Sequence, residues 1–458
     1  MDSSLTTTET IVAQATASGR GGIGILRVCG PEAANIARAV TGRCPAPRYA
    51  DYRHFYDQTG EVIDQGIVLF FPKPHSFTGD DVLELHGHGG QVLLDMLLNR
   101  ILQHPGVRLA RPGEFSERAF LNHKIDLAQA EAIADLIDAS SQQAARAAMR
   151  SLQGHFSQQI QAGVDSLMRL RIQVEADLDF ADEGLDTQAD IILASELTHL
   201  LVTMQNLQTS AHQGVLLREG IQVVLAGQPN AGKSSLMNQL SGDQTSIVTP
   251  IPGTTRDILR CSIQIDGFPV HVVDTAGLRK AGDEIEQIGI NRAWEAIQKA
   301  DQLLWVIDGP RLSASTAVDA ELEPLRSLPP SVAVTLIYNK IDLVPPITHL
   351  SELHGYPVIY LSTQTGAGLE QLRQHIKRTA RGAQLPEGNF LARRRHLTAI
   401  EQAISHIQDS QSQLLAGGNR ELLAESLRLA QQSLGTITGQ VTADQLLGEI
   451  FSQFCIGK

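Results

Sequence analysis

The 458-residue chain is long enough for about three domains and for buried cores that need no disulfide or metal staple. Its 42% hydrophobic and 19% charged residues exclude a mostly disordered chain, and 4% aromatics argue against tandem base-stacking RNA modules. With 37 basic and 50 acidic residues, the net charge of -13 excludes a broadly basic nucleic-acid coat, though not a local basic patch.

Cys29, Cys44, Cys261 and Cys455 form no CxxC pair, so a reduced, cytoplasmic compartment is expected. The start, MDSSLTTTET, has neither a basic nor an apolar signal region, and no apolar run reaches ~18 residues, so no membrane association is expected.

In chain order, residues 10–15 and 23–28 predict strands joined by a turn-rich Ala17–Gly22. A helix over 31–40, strands over 66–71 and 81–85, and a helix over 91–102 complete an α+β segment, residues 1–122. Residues 125–153 hold neither Gly nor Pro and repeat apolar positions at the helical period, as do 164–182 and 185–213. That pattern stops near Gly214. Short apolar runs at 222–226, 270–274, 303–308, 333–339 and 358–362 then alternate with helical stretches, which predicts βαβ units and a parallel sheet. The helical period returns in 390–416 and 420–434. The expected fold class is multidomain: α+β, all-α and α/β. The expected domains are 1–122; a helical domain of 123–216 plus 385–458, its two stretches packed together; and an α/β domain, 217–384, inserted between them.

Gly227-Gln228-Pro229-Asn230-Ala231-Gly232-Lys233-Ser234 fits the P-loop pattern GxxxxGK[ST] between a predicted strand and helix. The glycines let backbone N–H groups surround phosphate oxygens, Lys233 supplies a charge to the β/γ-phosphates, and Ser234 offers a hydroxyl to Mg²⁺. Asp274-Thr275-Ala276-Gly277 follows a strand; Asp274 suits the Mg²⁺ water shell and the Gly277 N–H suits a γ-phosphate. Thr255, in Gly253-Thr254-Thr255-Arg256-Asp257, suits the Mg²⁺ shell. Asn339-Lys340-Ile341-Asp342 follows another strand, and a carboxylate at Asp342 accepts two guanine N–H groups where adenine leaves it unpaired, so the nucleotide is GTP. Ser362-Thr363-Gln364 occupies the last base-contact position and departs from the usual Ser-Ala-Lys. Leu278 stands where Ras-type GTPases carry a water-orienting glutamine, which leaves Asp283, Glu284 and Glu286 as candidates for that role.

Other patterns are weaker. Gly19–Gly24 formally matches GxGxxG but leads into a strand, so a hairpin turn is expected. His86-Gly87-His88 resembles a metal pair without a third ligand, and a Gly-rich loop after a strand is the plainer reading. Arg393-Arg394-Arg395 reads as a solvated helix face. Cys455 stands fourth from the end, but Gly457 and Lys458 do not suit prenylation; the thiol is either structural or activated by a neighbour such as Lys458.

The blocks GRGGIGILR, LELHGHGG, RPGEFSERAFLN, GQPNAGKSS, GTTRD, DTAGLR, NKID and the terminal FCIGK together resemble the tRNA modification GTPase family MnmE, also called TrmE, over essentially the whole chain. The resemblance implies a tetrahydrofolate-binding-like N-terminal α+β domain that also dimerises, followed by a helical domain interrupted by a Ras-like P-loop G domain. It implies a homodimer that joins the FAD- and NADH-using partner MnmG (GidA) in a heterotetramer. That complex adds a (carboxymethyl)aminomethyl group at C5 of the wobble uridine of certain tRNAs, with a one-carbon unit from a 5,10-methylene- or 5-formyl-tetrahydrofolate.

Carried over residue by residue, folate contacts fall on Arg27, Glu84, Lys124 and Lys458. Potassium ligands fall on Asn230, Thr249, Ile251 (through its carbonyl) and Thr254, Mg²⁺ ligands on Ser234 and Thr255, and the catalytic carboxylate on Glu286. GTP contacts fall on Asn230, Ala231, Gly232, Lys233, Ser234, Ser235, Thr249, Thr254, Thr255, Asp274, Thr275, Ala276, Gly277, Asn339, Lys340, Asp342, Ser362, Thr363 and Gln364. Cys455 takes the place of the family's cysteine in the modification chemistry. The alternative is a regulatory GTPase switch that binds RNA or ribosome without modifying it.

Overall fold

A computed structural model describes residues 9–179, 187–241, 259–265, 268–274, 297–298, 300–311, 322–328, 332–344, 350–381, 390–416, 419–441, 444–452, 454–455 and 457. Their contacts divide into two units, one of residues 1–134, 151–201 and 402–458, the other of 135–150 and 202–401.

The first unit holds a six-stranded sheet in the order β3-β4-β5-β2-β1-β6: β1 (Thr10–Gln14), β2 (Gly21–Cys29), β3 (Asp51–Tyr56), β4 (Val62–Phe71), β5 (Val82–Gly89) and β6 (Val107–Leu109). β1 and β2 form the expected antiparallel hairpin, with Val12 opposite Val28; of the GxGxxG match, Gly19 and Arg20 lie in the connection, and Gly21–Gly24 already belong to β2, which starts two residues earlier than expected. Side chains alternate across the sheet. Val12, Leu26, Val28, Leu83 and Leu85 pack under α1 (Ala33–Thr41) and α2 (Gln91–Leu102). Ile11, Ala13, Cys29 and Val82 face Phe115 of α3 (Glu114–Leu121) on the other side. Arg27, Glu84 and His86 share the parity of this second face.

Two expectations are corrected here. His86-Gly87-His88 lies within β5 rather than in a loop after it, between β2 and β4. Gly66 explains this extension: a Cβ there would stand 1.9 Å from the His86 carbonyl oxygen, so glycine lets β4 approach β5. The two histidines are also spent on separate carboxylates. His86 Nε2 lies 3.0 Å from Glu84 and His88 Nδ1 2.7 Å from Asp64, and no metal-ligand cluster occurs among the described residues.

α6 (His155–Asp179) and α11 (Arg420–Thr438) lie along one another, as the two helical stretches predict. Arg171 Nη1 donates to Gln431 at 2.9 Å, and Arg420 pairs with Asp177 at 2.8 Å and with Asp190. α12 (Asp444–Ser452), unread in the sequence, packs near α3, where Phe451 and Phe454 join Phe120, Leu127 and Ala130.

The 125–153 stretch is two helices, α4 (Leu127–Ile137) and α5 (Gln142–Leu152), because Ser141 Oγ caps the second by accepting from Ala144 N at 3.1 Å. α7 (Thr187–Glu219) does not stop at Gly214. A Cβ at Gly214 would lie 2.6 Å from the Phe390 carbonyl oxygen, so glycine serves close packing here, not helix termination.

The second unit carries a seven-stranded sheet, β12-β13-β11-β10-β7-β9-β8. Its strands are β7 (Ile221–Ala226), β8 (Leu259–Ile265), β9 (Phe268–Asp274), β10 (Gln302–Asp308), β11 (Ala333–Asn339), β12 (Glu352–Leu353) and β13 (Tyr356–Tyr360). The inner strands are parallel, as predicted, and β8 and β12 are antiparallel edges. α8 (Lys233–Ser241) follows β7, and α9 (Leu369–Arg381) follows β13. α10 (Arg394–Leu415) begins with the arginine run, and this run is not simply a solvated face. Arg393 and Arg218 each reach Asp135 at 2.8 Å, and Arg394 reaches Glu219 at 2.9 Å.

Candidate functional site

The sheet of the second unit brings the nucleotide motifs to one end. β7 ends at Ala226, and Gly227 (φ 138°), Asn230 (φ 65°) and Gly232 (φ 97°) turn the chain into α8. A Cβ on Gly227 would stand 2.1 Å from the Val306 carbonyl oxygen, and one on Gly232 2.1 Å from Asn339 Nδ2. Both glycines are therefore required by backbone conformation and by space.

Lys233, 6% exposed, curls its Nζ back onto the Gly227 and Gln228 carbonyls at 2.9 and 2.8 Å. A buried ammonium held at the mouth of such a loop is the point charge that phosphate oxygens require. Ser234 is exposed in the first turn of α8, and a hydroxyl there is the oxygen type that a hard cation takes.

The base motif docks on the same loop. Asn339 Nδ2 donates to Ala231 O at 2.8 Å, and its Oδ1 accepts from Thr363 N at 3.2 Å. Lys340, itself at φ 63°, donates to Asn230 O at 2.7 Å and pairs with Asp308 at 3.1 Å. Asp342 is exposed in the 3-10 turn Ile341–Leu343. Buried Ser362 accepts from Gln364 N and Thr365 N, so this loop is shaped by the serine even though the Ser-Ala-Lys pattern is absent. The backbone of Asp274 ends β9 opposite Leu225. The cradle thus fits a guanine nucleotide with Mg²⁺.

Thr249, Ile251, Thr254, Thr255, Thr275, Ala276, Gly277 and Glu286 lie outside the described residues, as do Leu278, Asp283 and Glu284. Of the potassium candidates, Asn230 is described, and it is exposed.

A second constellation lies in the first unit. Arg27 and Glu84 are cross-strand partners on β2 and β5. Arg27 Nε and Nη2 reach Glu84 Oε1 at 3.0 and 2.9 Å, and Arg27 Nη1 donates to Gly457 O at 3.4 Å. The guanidinium carbon stands 5.8 Å from the Phe115 ring centroid, a cation–π distance. The His86 hydrogen bond first, and the Arg27 charge and hydrogen bond with it, hold the Glu84 carboxyl below its ordinary range against the opposing effect of burial.

The chain's end is fastened here: Gly113 N donates to Cys455 O at 3.3 Å, and Gly457, at φ 98°, lies against Gln14, where a Cβ would come within 2.2 Å of the carbonyl oxygen. Cys455 is exposed. Lys124, also exposed, donates to Pro74 O at 2.9 Å and is not joined to the Arg27–Glu84 pair. Lys458 is outside the described residues. An ionised carboxylate with lone pairs to spare, a neighbouring guanidinium and an aromatic wall fit a ligand that combines an amide-like heterocycle with carboxylates.

Sequence reading missed Phe115 and Asp308, and it weighed His86 only as half of a metal pair, not as a partner of Glu84. The i, i+2 spacing of Glu84 and His86 would have flagged His86 once β5 was extended to Gly89, and Asp308 ends its strand in register with Asn339.

Comparison with known proteins covers nearly the whole chain. The profile of the MnmE helical domain matches residues 127–455, and that of the GTP-binding protein TrmE N-terminus matches residues 10–124. The tRNA modification GTPase MnmE of Proteus mirabilis is 56% identical over 451 residues, covering 98% of this chain and 99% of its own. Among solved structures, the G domain of the T. maritima FeoB iron transporter is 27% identical, with TM-score 0.28, over 35% of this chain and 98% of its own. An Aquifex aeolicus Era variant bound to GDP and AlF4- is 25% identical, with TM-score 0.28, over 41% of this chain and 66% of its own. No helix among the described residues is long and apolar enough to cross a membrane.

Proposed function

Because the chain belongs to the MnmE family of tRNA modification GTPases, we propose that it couples GTP hydrolysis to addition of a (carboxymethyl)aminomethyl group at C5 of the wobble uridine. The chain is a GTPase that uses GTP and Mg²⁺. The observation that carries the coupled reading is the Arg27–Glu84 pair with the Cys455–Gly457 tail fastened beside it. A GTPase switch without modifying chemistry has no use for a built carboxylate–guanidinium site to which the chain's tail is fastened.

Phosphoryl transfer leaves the protein mainly positioning and charge compensation to perform. The P-loop amides and Lys233 hold the phosphates, Asp342 accepts from the guanine edge, and Asn339 locks the base loop to the P-loop. Ser234 and Thr255 would hold Mg²⁺, with Asp274 behind its water shell. With no glutamine at Leu278, Glu286 orients the attacking water. Asn230, Thr249, Ile251 and Thr254 would hold K⁺, which supplies positive charge beside the phosphates. Arg27, Glu84, Lys124 and Lys458 hold a 5,10-methylene- or 5-formyl-tetrahydrofolate as one-carbon donor, and Cys455 serves the modification chemistry.

The working assembly is a homodimer bound to the FAD- and NADH-using MnmG partner as a heterotetramer, in the cytoplasm, with tRNA as substrate. GTP turnover of the full chain in KCl and in NaCl, alongside a calorimetric titration with 5-formyl-tetrahydrofolate, tests this reading. The expected results are steeply faster turnover in KCl and saturable folate binding. Equal turnover in the two salts overturns the potassium assignment, and no folate binding overturns the one-carbon assignment.

A further inference from the structure

We infer that His86 is a positioning residue for the folate site, aiming the Glu84 carboxylate and keeping it charged as an acceptor. The inference rests on the folate reading above and extends it to a residue that the carried-over ligand set does not contain.

Glu84 and His86 are two apart on β5, so both side chains rise from the same face of the sheet. That face carries Arg27 and is walled by Phe115. Glu84 is gripped by both oxygens: Arg27 holds Oε1, and His86 Nε2 stands 3.0 Å from Oε2. The side chains of Glu84 and His86 are 16% and 23% exposed, so the bond forms in a partly dry setting where hydrogen bonds to charge count for more. One partner alone would let the carboxylate rotate about its last torsion. Two partners on different oxygens fix its plane and leave the remaining lone pairs for N–H groups of a ligand.

The charged groups of the neighbouring elements are engaged elsewhere. Asp64 on β4 is turned to His88. On α3, Glu114 and Glu117 pair with Arg108 and Arg111, and Arg118 donates to the carbonyls of Cys29 and Glu9. α1 and α2 cover the opposite face with apolar side chains. The tail contributes Gly457 O, which binds Arg27. His86 is therefore the group, besides Arg27, whose removal most directly frees Glu84.

The test is calorimetric titration of the full chain with 5-formyl-tetrahydrofolate from pH 5 to 8, for the unsubstituted protein, His86→Ala and His86→Gln, with thermal unfolding as a check on folding. His86→Ala is expected to bind about 10-fold or more weakly at neutral pH, with the acid limb of the binding profile moved to higher pH. His86→Gln keeps an N–H donor and should recover most of the affinity. A purely structural role would lower the unfolding temperature without moving the acid limb. Unchanged affinity and profile in His86→Ala overturns the inference alone, whereas no binding by the unsubstituted chain overturns both it and the folate reading.

Discussion

Gly232 and Asn339 interlock in a way that leaves neither free to change. Gly232 stands at φ 97°, and any Cβ would meet Asn339 Nδ2 at 2.1 Å. Asn339 cannot swing aside without giving up both Ala231 O and Thr363 N. Gly232→Ala should therefore open the joint between the P-loop and the base loop and weaken guanine nucleotide binding by about 10-fold or more, since a strained backbone position costs roughly 1–3 kcal/mol. Titration with a fluorescent GDP analogue checks this; wild-type affinity would contradict it.

Glu84 offers a second test at this scale. Its carboxyl is held below the ordinary value of 4.5 by His86 first and Arg27 next. A depressed carboxylate contributes stability that is fully present above its unfolded value and is lost as pH falls through its folded one. Thermal stability should therefore decline as pH drops below about 4.5, and Glu84→Gln should flatten that part of the profile. An equally steep acid decline in the glutamine variant would show that other carboxylates carry it.

Asp135, in the last turn of α4, ties two other elements together. Arg218 near the end of α7 and Arg393 just before α10 both reach it at 2.8 Å. Asp135 is 8% exposed and Arg393 12%, so truncating the carboxylate removes a largely dry ion pair from Arg393, while Arg218, at 31%, keeps Glu219 at 3.5 Å and contact with water. Asp135→Ala should cost roughly 2–4 kcal/mol, as expected for breaking one side of a buried charge network. A urea unfolding midpoint unchanged from wild type would contradict this.

The same elements show where the sequence was legible. Strands β7, β9, β10, β11 and β13 were readable because strands buried on both faces are continuous apolar runs, and α2 was readable to its ends from its period. The P-loop and Asn-Lys-Ile-Asp motifs were readable because their chemistry is local in sequence. Edge strands β3 and β8 were not, because one side of each is unpaired and their residues mix polar and apolar. The extension of β5 over two histidines depended on Gly66, 20 residues away in a neighbouring strand. Arg393 read as solvated because its partner, Asp135, is 258 residues distant. Gly214 looked like a stop because the backbone that fills its missing Cβ lies at Phe390.

At the scale of the whole molecule, the described residues of the nucleotide cradle belong to the second unit and those of the Arg27–Glu84 site to the first. Hydrolysis and modification are therefore open to separation by substitution. On the proposed reading Lys233 serves the first reaction and Cys455 the second, so variants at these positions distinguish a coupled modifying enzyme from a GTPase switch.

The most direct measurement is mass analysis of wobble uridines in tRNA from a strain lacking this chain, complemented with the unsubstituted protein, Lys233→Ala or Cys455→Ser. The expected result is loss of the C5 group in the deletion strain and recovery with the unsubstituted protein only, while purified Cys455→Ser still hydrolyses GTP. A deletion strain whose wobble uridines carry the full modification would contradict the account.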